Sequence, residues 1–228
     1  MAKLSDLVLR SSEITGVPLP TVREISRRLR ENHLIQTGVG GRYGGADMTP
    51  EHAAGLLTAL MIVRTSATSM RSVARLTRSH LEDLKSYSGR WSRILALPQL
   101  RGLKSAHTFG DAFTALLASI ADGDLERAIK KWALDKPHGT GSFFELTVKI
   151  DSPNPFLQAS IEFHTSAFDR LTMFYTRPRD KVTFEGLPRR WSDISEEPRY
   201  DLRVSATLQD PTLKSIGLLL RDSEVEHG

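Results

Sequence analysis

The chain contains no cysteine. Disulfides, iron–sulfur clusters and thiolate zinc sites are therefore excluded, and the fold cannot depend on oxidation or on a cysteine-bound metal. No apolar run approaches the roughly 20 residues that a membrane-spanning helix needs, and the first residues are polar. The hydrophobic content of 39% is ordinary for a globular protein, so the sequence predicts a buried core. The absence of cysteine and of a long apolar run predicts a soluble, cytoplasmic chain with no membrane partner.

Motifs for catalysis and cofactor binding are also missing. The glycine-rich stretch 38–45 lacks Gly-x-Gly-x-x-Gly spacing, because Tyr43 stands where the third glycine belongs. The histidines show no His-x-x-x-His pair, and no Gly-x-Ser-x-Gly turn is present. Glu162 and His164 share one face of a predicted strand and form a possible acid–base pair, but that face of an antiparallel sheet is usually solvated. The sequence therefore predicts no enzyme, no cofactor and no metal site.

Charge is divided unevenly along the chain. Residues 1–104 carry 16 Lys and Arg against 8 Asp and Glu, a net charge of +8, whereas residues 105–228 carry 15 against 19, a net charge of −4. A basic N-terminal part is expected for a partner with a phosphate backbone. Basic surfaces also bind acidic proteins, so charge alone does not identify the partner.

The stretch from Leu7 to Met48 is predicted to form two helices with a tight turn between them, followed by a hairpin. Gly16, suited to a positive φ angle, ends the first helix, which is predicted over about Leu4 to Ser12, and Pro18 and Pro20 flank the start of the second. The two helices must therefore meet at an angle.

The second helix has one apolar face and one polar face. Val22, Ile25, Leu29 and His33 recur at helical spacing, which predicts a packed face. The residues that lie away from it are predicted to face the major groove of DNA: Thr21, Arg23, Glu24, Arg27 and Arg28. Arginine is the commonest specific reader of guanine.

The stretch 38–45 is too rich in glycine for the interior of a strand and suits the tip of a hairpin. Arg42 and Tyr43 lie at this tip, and an arginine there could enter a minor groove. A flexible connector without a partner would have the same composition.

This pattern resembles the winged helix-turn-helix family of DNA-binding regulators, particularly those of phages and prophages. The resemblance covers about the first quarter of the chain. It rests on Gly16 at the turn, on apolar Val17, Val22 and Ile25, and on the Leu34-Ile35 step towards the hairpin. Ser12 departs from the alanine that such helices often place there. The resemblance implies double-stranded DNA as the partner; the alternative is a pair of surface helices with a solvated, arginine-rich face.

The central part is predicted to be helical. Thr49-Pro50-Glu51 is a helix start, and the helix at about 50–63 is apolar almost all round, which suits the core or an oligomer interface. A second helix is predicted at about 67–86, in the most basic part of the chain. A change in composition predicts a domain boundary near residue 105, so that residues 1–104 form a DNA-binding region with the winged helix-turn-helix at about 4–63.

Residues 105–228 are predicted to form an α+β domain with a mainly antiparallel sheet covered by helices. Helical spacing predicts helices at 109–120 and 125–132. From residue 142 the apolar period becomes two, and the connections are too short for helical crossovers. The predicted strands lie at about 144–150, 161–163, 171–175, 182–184, 202–208 and 215–220.

These features predict a sequence-specific DNA-binding protein, a transcriptional regulator that forms a homodimer or higher homo-oligomer. The C-terminal domain would dimerise or bind a protein or small-molecule effector. Two alternatives remain: a DNA-recognition subunit of a phage-like packaging or replication assembly, and a protein-interaction module that binds an acidic partner through its arginine-rich face.

Overall fold

The structure is a computed structural model that describes residues 3–35, 48–65, 70–78, 80–86, 97–101, 103, 107–134, 144–152, 158–166, 169–176 and 204–225. The helices are α1 (Leu4–Thr15), α2 (Leu19–Glu31), α3 (Pro50–Thr65), α4 (Met70–Thr77), α5 (Pro98–Arg101), α6 (Phe109–Ala121), α7 (Asp124–Leu134) and α8 (Asp210–Val225). The strands are β1 (His80–Ser86), β2 (Glu145–Ser152), β3 (Gln158–Ser166), β4 (Asp169–Thr176) and β5 (Val204–Gln209).

The five strands form one sheet in the order β1-β4-β3-β2-β5, and every pair is antiparallel. Alternate residues of β2, such as Leu146, Val148 and Ile150, are fully buried. Their neighbours Thr147 and Lys149 are only partly buried. This period-two alternation gives the sheet one apolar face, on which the helices pack. The predicted α+β class and the antiparallel sheet are confirmed.

Helix α3 lies at the centre of the helical layer. Its residues from Leu56 to Ile62 are all buried, and it packs against α2, α4, α6 and β5. The sequence allowed this apolar helix to lie either in the core or in an oligomer interface, and the structure places it in the core. One continuous cluster of buried side chains includes Leu7 of α1, Leu57 of α3 and Phe163 of β3. The segments on either side of residue 105 therefore share one core.

The second half of the helix predicted at 67–86 is a strand. Helix α4 ends at Thr77, and residues 80–86 pair with β4. Leu81 and Leu84 are three residues apart, which suggested a helix. A bulge between Leu81 and Asp83 brings Leu81 opposite Tyr175 and Leu84 opposite Met173, two buried residues of the same face. The bulge hides the period of two, because it inserts one extra residue into the alternation.

The strand predicted at 215–220 is wrong, because these residues belong to helix α8. The apolar run from Ile216 to Leu220 suggested a strand. The buried residues Leu213, Ile216 and Leu220 follow helical spacing, and Pro211 lies in the first turn, where a missing N–H is tolerated. The strand predicted at 182–184 and the cluster Arg189 to Trp191 lie outside the described residues.

The remaining helices agree with the sequence. The helix predicted at 109–120 is α6, whose first turn is held by a capping box: the Thr108 N–H donates to Asp111 Oδ2 at 2.8 Å, and the Asp111 N–H donates to Thr108 Oγ1 at 3.2 Å. The helix predicted at 125–132 is α7. Among the described residues, no helix combines the length and the apolar character that a bilayer crossing requires.

Helices α6 and α8 approach each other at Gly217. A Cβ atom on Gly217 would lie 2.3 Å from Ile120 Cγ2 and 2.9 Å from Ile120 Cβ. We expect Gly217→Ala to lower the free energy of unfolding by about 1–3 kcal/mol, because overpacking moves one helix away from the other. Urea unfolding followed by circular dichroism measures the change.

Gly55→Ala in α3 is the matched control, since the nearest atom to its added Cβ would lie at 3.7 Å, an ordinary contact. Alanine is the better helix former, so the control is expected to keep or raise stability by up to about 1 kcal/mol. Equal loss in both variants would contradict a specific close contact at Gly217.

Candidate functional site

The turn between α1 and α2 is fixed by its own hydrogen bonds. Gly16 has a φ of 68° and donates its N–H to the Ser12 carbonyl at 3.0 Å. Ser12 Oγ donates to the Val17 carbonyl at 2.8 Å, and the Val17 side chain is buried. The hydroxyl of Ser12 therefore holds the turn, a role that its small size alone did not indicate. Helix α1 runs to Thr15, three residues beyond the predicted end.

Helix α2 begins at Leu19 with Pro18 at the N-cap position. The Pro18 carbonyl accepts the N–H groups of Thr21 at 2.9 Å and Val22 at 3.1 Å. Pro20 lacks an N–H in the first turn, where the amide groups have no partner within the helix in any case. The two prolines are thus compatible with a helix that starts between them.

The inner face of α2 is a stripe of buried apolar side chains. Val22, Ile25 and Leu29 are at most 3% exposed and pack towards α1 and α3. His33 does not continue the stripe as predicted: the helix ends at Glu31, and His33 is exposed with a φ of 54°. The chain leaves the helix there, so the helical spacing of His33 has no structural meaning.

The outer face of α2 presents the predicted contact residues. Arg23, Arg27 and Arg28 are exposed, while Thr21 and Glu24 are partly exposed. All five lie on α2 away from its buried stripe and are brought onto one helix surface. The predicted hairpin residues Arg42 and Tyr43 lie outside the described residues.

Ion pairs organise this outer face. Arg27 donates to both oxygens of Glu24, from Nη2 at 2.8 Å and from Nε at 2.9 Å, and it also bonds to Glu31. Arg28 Nε donates to Glu24 Oε1 at 2.8 Å. The spacing of three and four residues that produces these pairs is visible in the sequence, although its consequence for the arginines was missed. Two of the three exposed arginines are therefore partly neutralised by neighbours on the same helix.

These contacts change the acidity of Glu24. Hydrogen bonds from Arg27 and Arg28 lower the pKa of its carboxyl group from 4.5 to about 2. The carboxylates in turn raise the pKa of Arg27. Arg23 has no ion-pair partner among the described residues. Arg23, Arg27 and Arg28 against Glu24 and Glu31 give these five residues a net charge of +1, and the partly exposed Arg30 lies seven residues after Arg23, on the same side of the helix.

A groove of about 830 Å³ lies behind the end of α2. His33 and Leu34 line it from the turn after α2, Gly55 lines it from α3, and Arg78 lines it at the end of α4. Residues between His107 and Ala115 form a further wall. The volume lies within the range of small-molecule sites. The groove thus connects the end of the predicted recognition helix to the C-terminal part of the chain.

The possible acid–base pair on β3 is present as a hydrogen-bonded row. His164 Nε2 lies 3.2 Å from Glu162 Oε2, and Ser160 Oγ donates to Glu162 Oε1 at 3.1 Å. The side chains of Glu162 and His164 are 13% and 25% exposed, so this face is less solvated than the sequence suggested. The serine contacts the carboxylate and not the imidazole, so the row does not form a serine nucleophile with a histidine base.

Within the described part of the chain, no three histidine or carboxylate side chains converge as a metal site would require. Comparison with known proteins finds no matching family model, no matching curated protein and no matching solved structure.

Substitutions of Gly16 test the backbone conformation of the turn. No atom lies within 4 Å of a Cβ placed on Gly16, so substitution there meets only the cost of a positive φ. We expect Gly16→Ala to destabilise the protein by roughly 1–2 kcal/mol. Gly16→Asn is the control, because asparagine adopts the left-handed conformation more readily and should lose less. Thermal unfolding of both variants measures the difference, and equal losses would contradict it.

Because of these ion pairs, we expect the Glu24 carboxyl group to titrate at an unusually low pH. Because the pKa of Glu24 is lowered, the pairs are intact above pH 4.5 and are lost as the pH falls towards about 2. Carbon NMR of the side-chain carboxyl should therefore give a midpoint below the ordinary value of 4.5. In the double variant Arg27→Ala and Arg28→Ala the midpoint should return towards 4.5. A normal midpoint in the unmodified protein would show that the pairs do not persist in solution.

Proposed function

We propose that the protein binds double-stranded DNA sequence-specifically and acts as a transcriptional regulator, with α2 as its recognition helix. The observation that carries the proposal is the helix pair itself. Helix α2 is fixed to α1 through the Gly16 turn, is packed on α3 through Val22, Ile25 and Leu29, and exposes an outer face with three arginines. Helix-turn-helix proteins place such a helix in the major groove, where arginine side chains contact guanine.

The charge of the outer face determines how much of the affinity for DNA would come from general attraction to phosphates. The small positive net charge of this face gives weak general attraction to phosphates. The arginines would contribute most to the binding free energy where a base or phosphate replaces Glu24 as their partner, because a bidentate arginine contact is directional. Specific contacts would then contribute more to affinity than non-specific attraction. Arg42 and Tyr43 of the predicted hairpin remain proposed contacts to the adjacent groove.

The second candidate is a protein-interaction module, and the Glu24 ion pairs favour it. A helix face that carries paired charges of both signs also suits a protein partner of mixed charge. The two candidates differ in what the arginines recognise, so a measurement of DNA binding distinguishes them.

The direct test is the selection of duplexes from a random pool, followed by fluorescence anisotropy with a selected duplex and a random duplex. Arg27→Ala should weaken binding to the selected duplex by roughly 1–3 kcal/mol if the side chain reads a base, with less change for random DNA. Arg10→Ala is the matched control: Arg10 is also ion-paired with a glutamate three residues away, and its side chain is 46% exposed against 52% for Arg27. Arg10 lies on α1.

Glu24→Gln tests the role of the ion pairs in the same assay. Removing this carboxylate should strengthen binding to random duplex and steepen the dependence of log affinity on log salt, because Arg27 and Arg28 lose a competing partner. Glu13→Gln on α1 makes the same charge change away from α2 and should have a smaller effect. If no duplex is enriched and random DNA does not bind at low salt, the DNA proposal is rejected.

A further inference from the structure

Strand β5 forms one edge of the sheet. Its inner side pairs with β2 from Val204 to Gln209 in a continuous register without a bulge. No strand among the described residues pairs with its outer side. Helix α3 also packs on β5. The N–H and C=O groups that β5 directs outward therefore have no strand partner within the described part of the chain.

The two edges of the sheet differ in the features that prevent edge-to-edge association. β1, at the opposite edge, contains Glu82, Asp83 and Lys85 and has a bulge after Leu81. Charged residues and bulges protect an edge against pairing with another chain. The sequence of β5, Val-Ser-Ala-Thr-Leu-Gln, contains no charge, no proline and no glycine. Strand β5 thus lacks the protection that β1 has.

We propose that β5 is the interface for a second copy of this chain, with the two β5 strands antiparallel across a two-fold axis. The sheet would then continue from one protomer into the other. A two-fold arrangement uses the same segment on both sides, so the segment must complement itself. This inference does not depend on DNA binding, and it is tested without DNA.

The alternation of β5 supports a self-complementary pairing. In an antiparallel pair, directly opposite residues lie on the same face, so pairing must match polar with polar positions. Pairing centred on Ala206 sets Ser205 opposite Thr207 and Val204 opposite Leu208. Pairing centred on Thr207 sets Thr207 opposite its own copy and Ser205 opposite Gln209. A register shifted by one residue between these two would set Val204 opposite Gln209, which mixes the faces.

Thr207 is the best position for a test, because it lies at the interface in both registers and its side chain is exposed. The chain has no cysteine, so a single introduced cysteine reports only its own position. Opposed residues of paired strands lie about 4.5–5.5 Å apart between Cα atoms, within the range of a disulfide. Under mild oxidation, Thr207→Cys alone should form a covalent dimer if the axis passes through Thr207. A mixture of Ser205→Cys and Thr207→Cys should do so if it passes through Ala206.

Gln158→Cys is the matched control, since Gln158 is an exposed residue of β3, which is separated from β5 by β2. Covalent dimer formed by the β5 variants at least ten times faster than by the control supports the proposal. Equal rates in the control and in both β5 arrangements overturn it.

Light scattering after size exclusion, at several protein concentrations, gives an independent measurement. The unmodified protein should change from the mass of one chain to that of two as its concentration rises. Thr207→Lys should shift this change to at least tenfold higher concentration, because the two introduced charges are directly opposite in the register centred on Thr207 and are diagonal neighbours in the register centred on Ala206. Gln158→Lys should leave it in place. A protein that remains one chain at all concentrations, or a Thr207→Lys variant that behaves like its control, rejects the β5 interface.

Discussion

The burial of α3 is the constraint on which the arrangement of the other elements depends. This helix is apolar from Leu56 to Ile62 except for Thr58, which is also buried, so no side of its central turns can face water. The surrounding elements supply the cover: α2 and α4 pack on it, α6 lies against it, and β5 contacts it from the sheet. The N-terminal helix pair and the C-terminal sheet are consequently joined through one hydrophobic core.

The fixed position of α2 contrasts with the adaptable state of its outer face. The backbone is set by Gly16, Ser12 and the buried stripe, whereas Arg27 and Arg28 are held only by exposed ion pairs. Exposed pairs contribute little to stability and are screened by salt. The helix therefore holds its backbone in a defined position, and binding of a partner as proposed would exchange Glu24 for another anionic or hydrogen-bonding group. Such an exchange is consistent with both proposed partner classes.

Local sequence patterns were sufficient wherever one element buries one regular face. The Gly16 turn, the stripe of Val22, Ile25 and Leu29 and the alternation of β2 all follow from short-range rules, and each was predicted from the sequence. The ion pairs between Glu24 and the following arginines obey the same kind of rule, since they join residues three and four positions apart.

What the sequence by itself determined was therefore the local periods, the helix starts and the residue types on each face of α2. The tertiary structure decided where those periods apply. Residues 80–86 become a strand because β4 offers a partner and a bulge realigns Leu81 with Leu84. Residues 215–220 become helical because Leu213, Ile216 and Leu220 are buried together while Gly217 permits the close approach to Ile120. Both outcomes depend on contacts between distant segments, whose free energy exceeds the small local preferences of each residue.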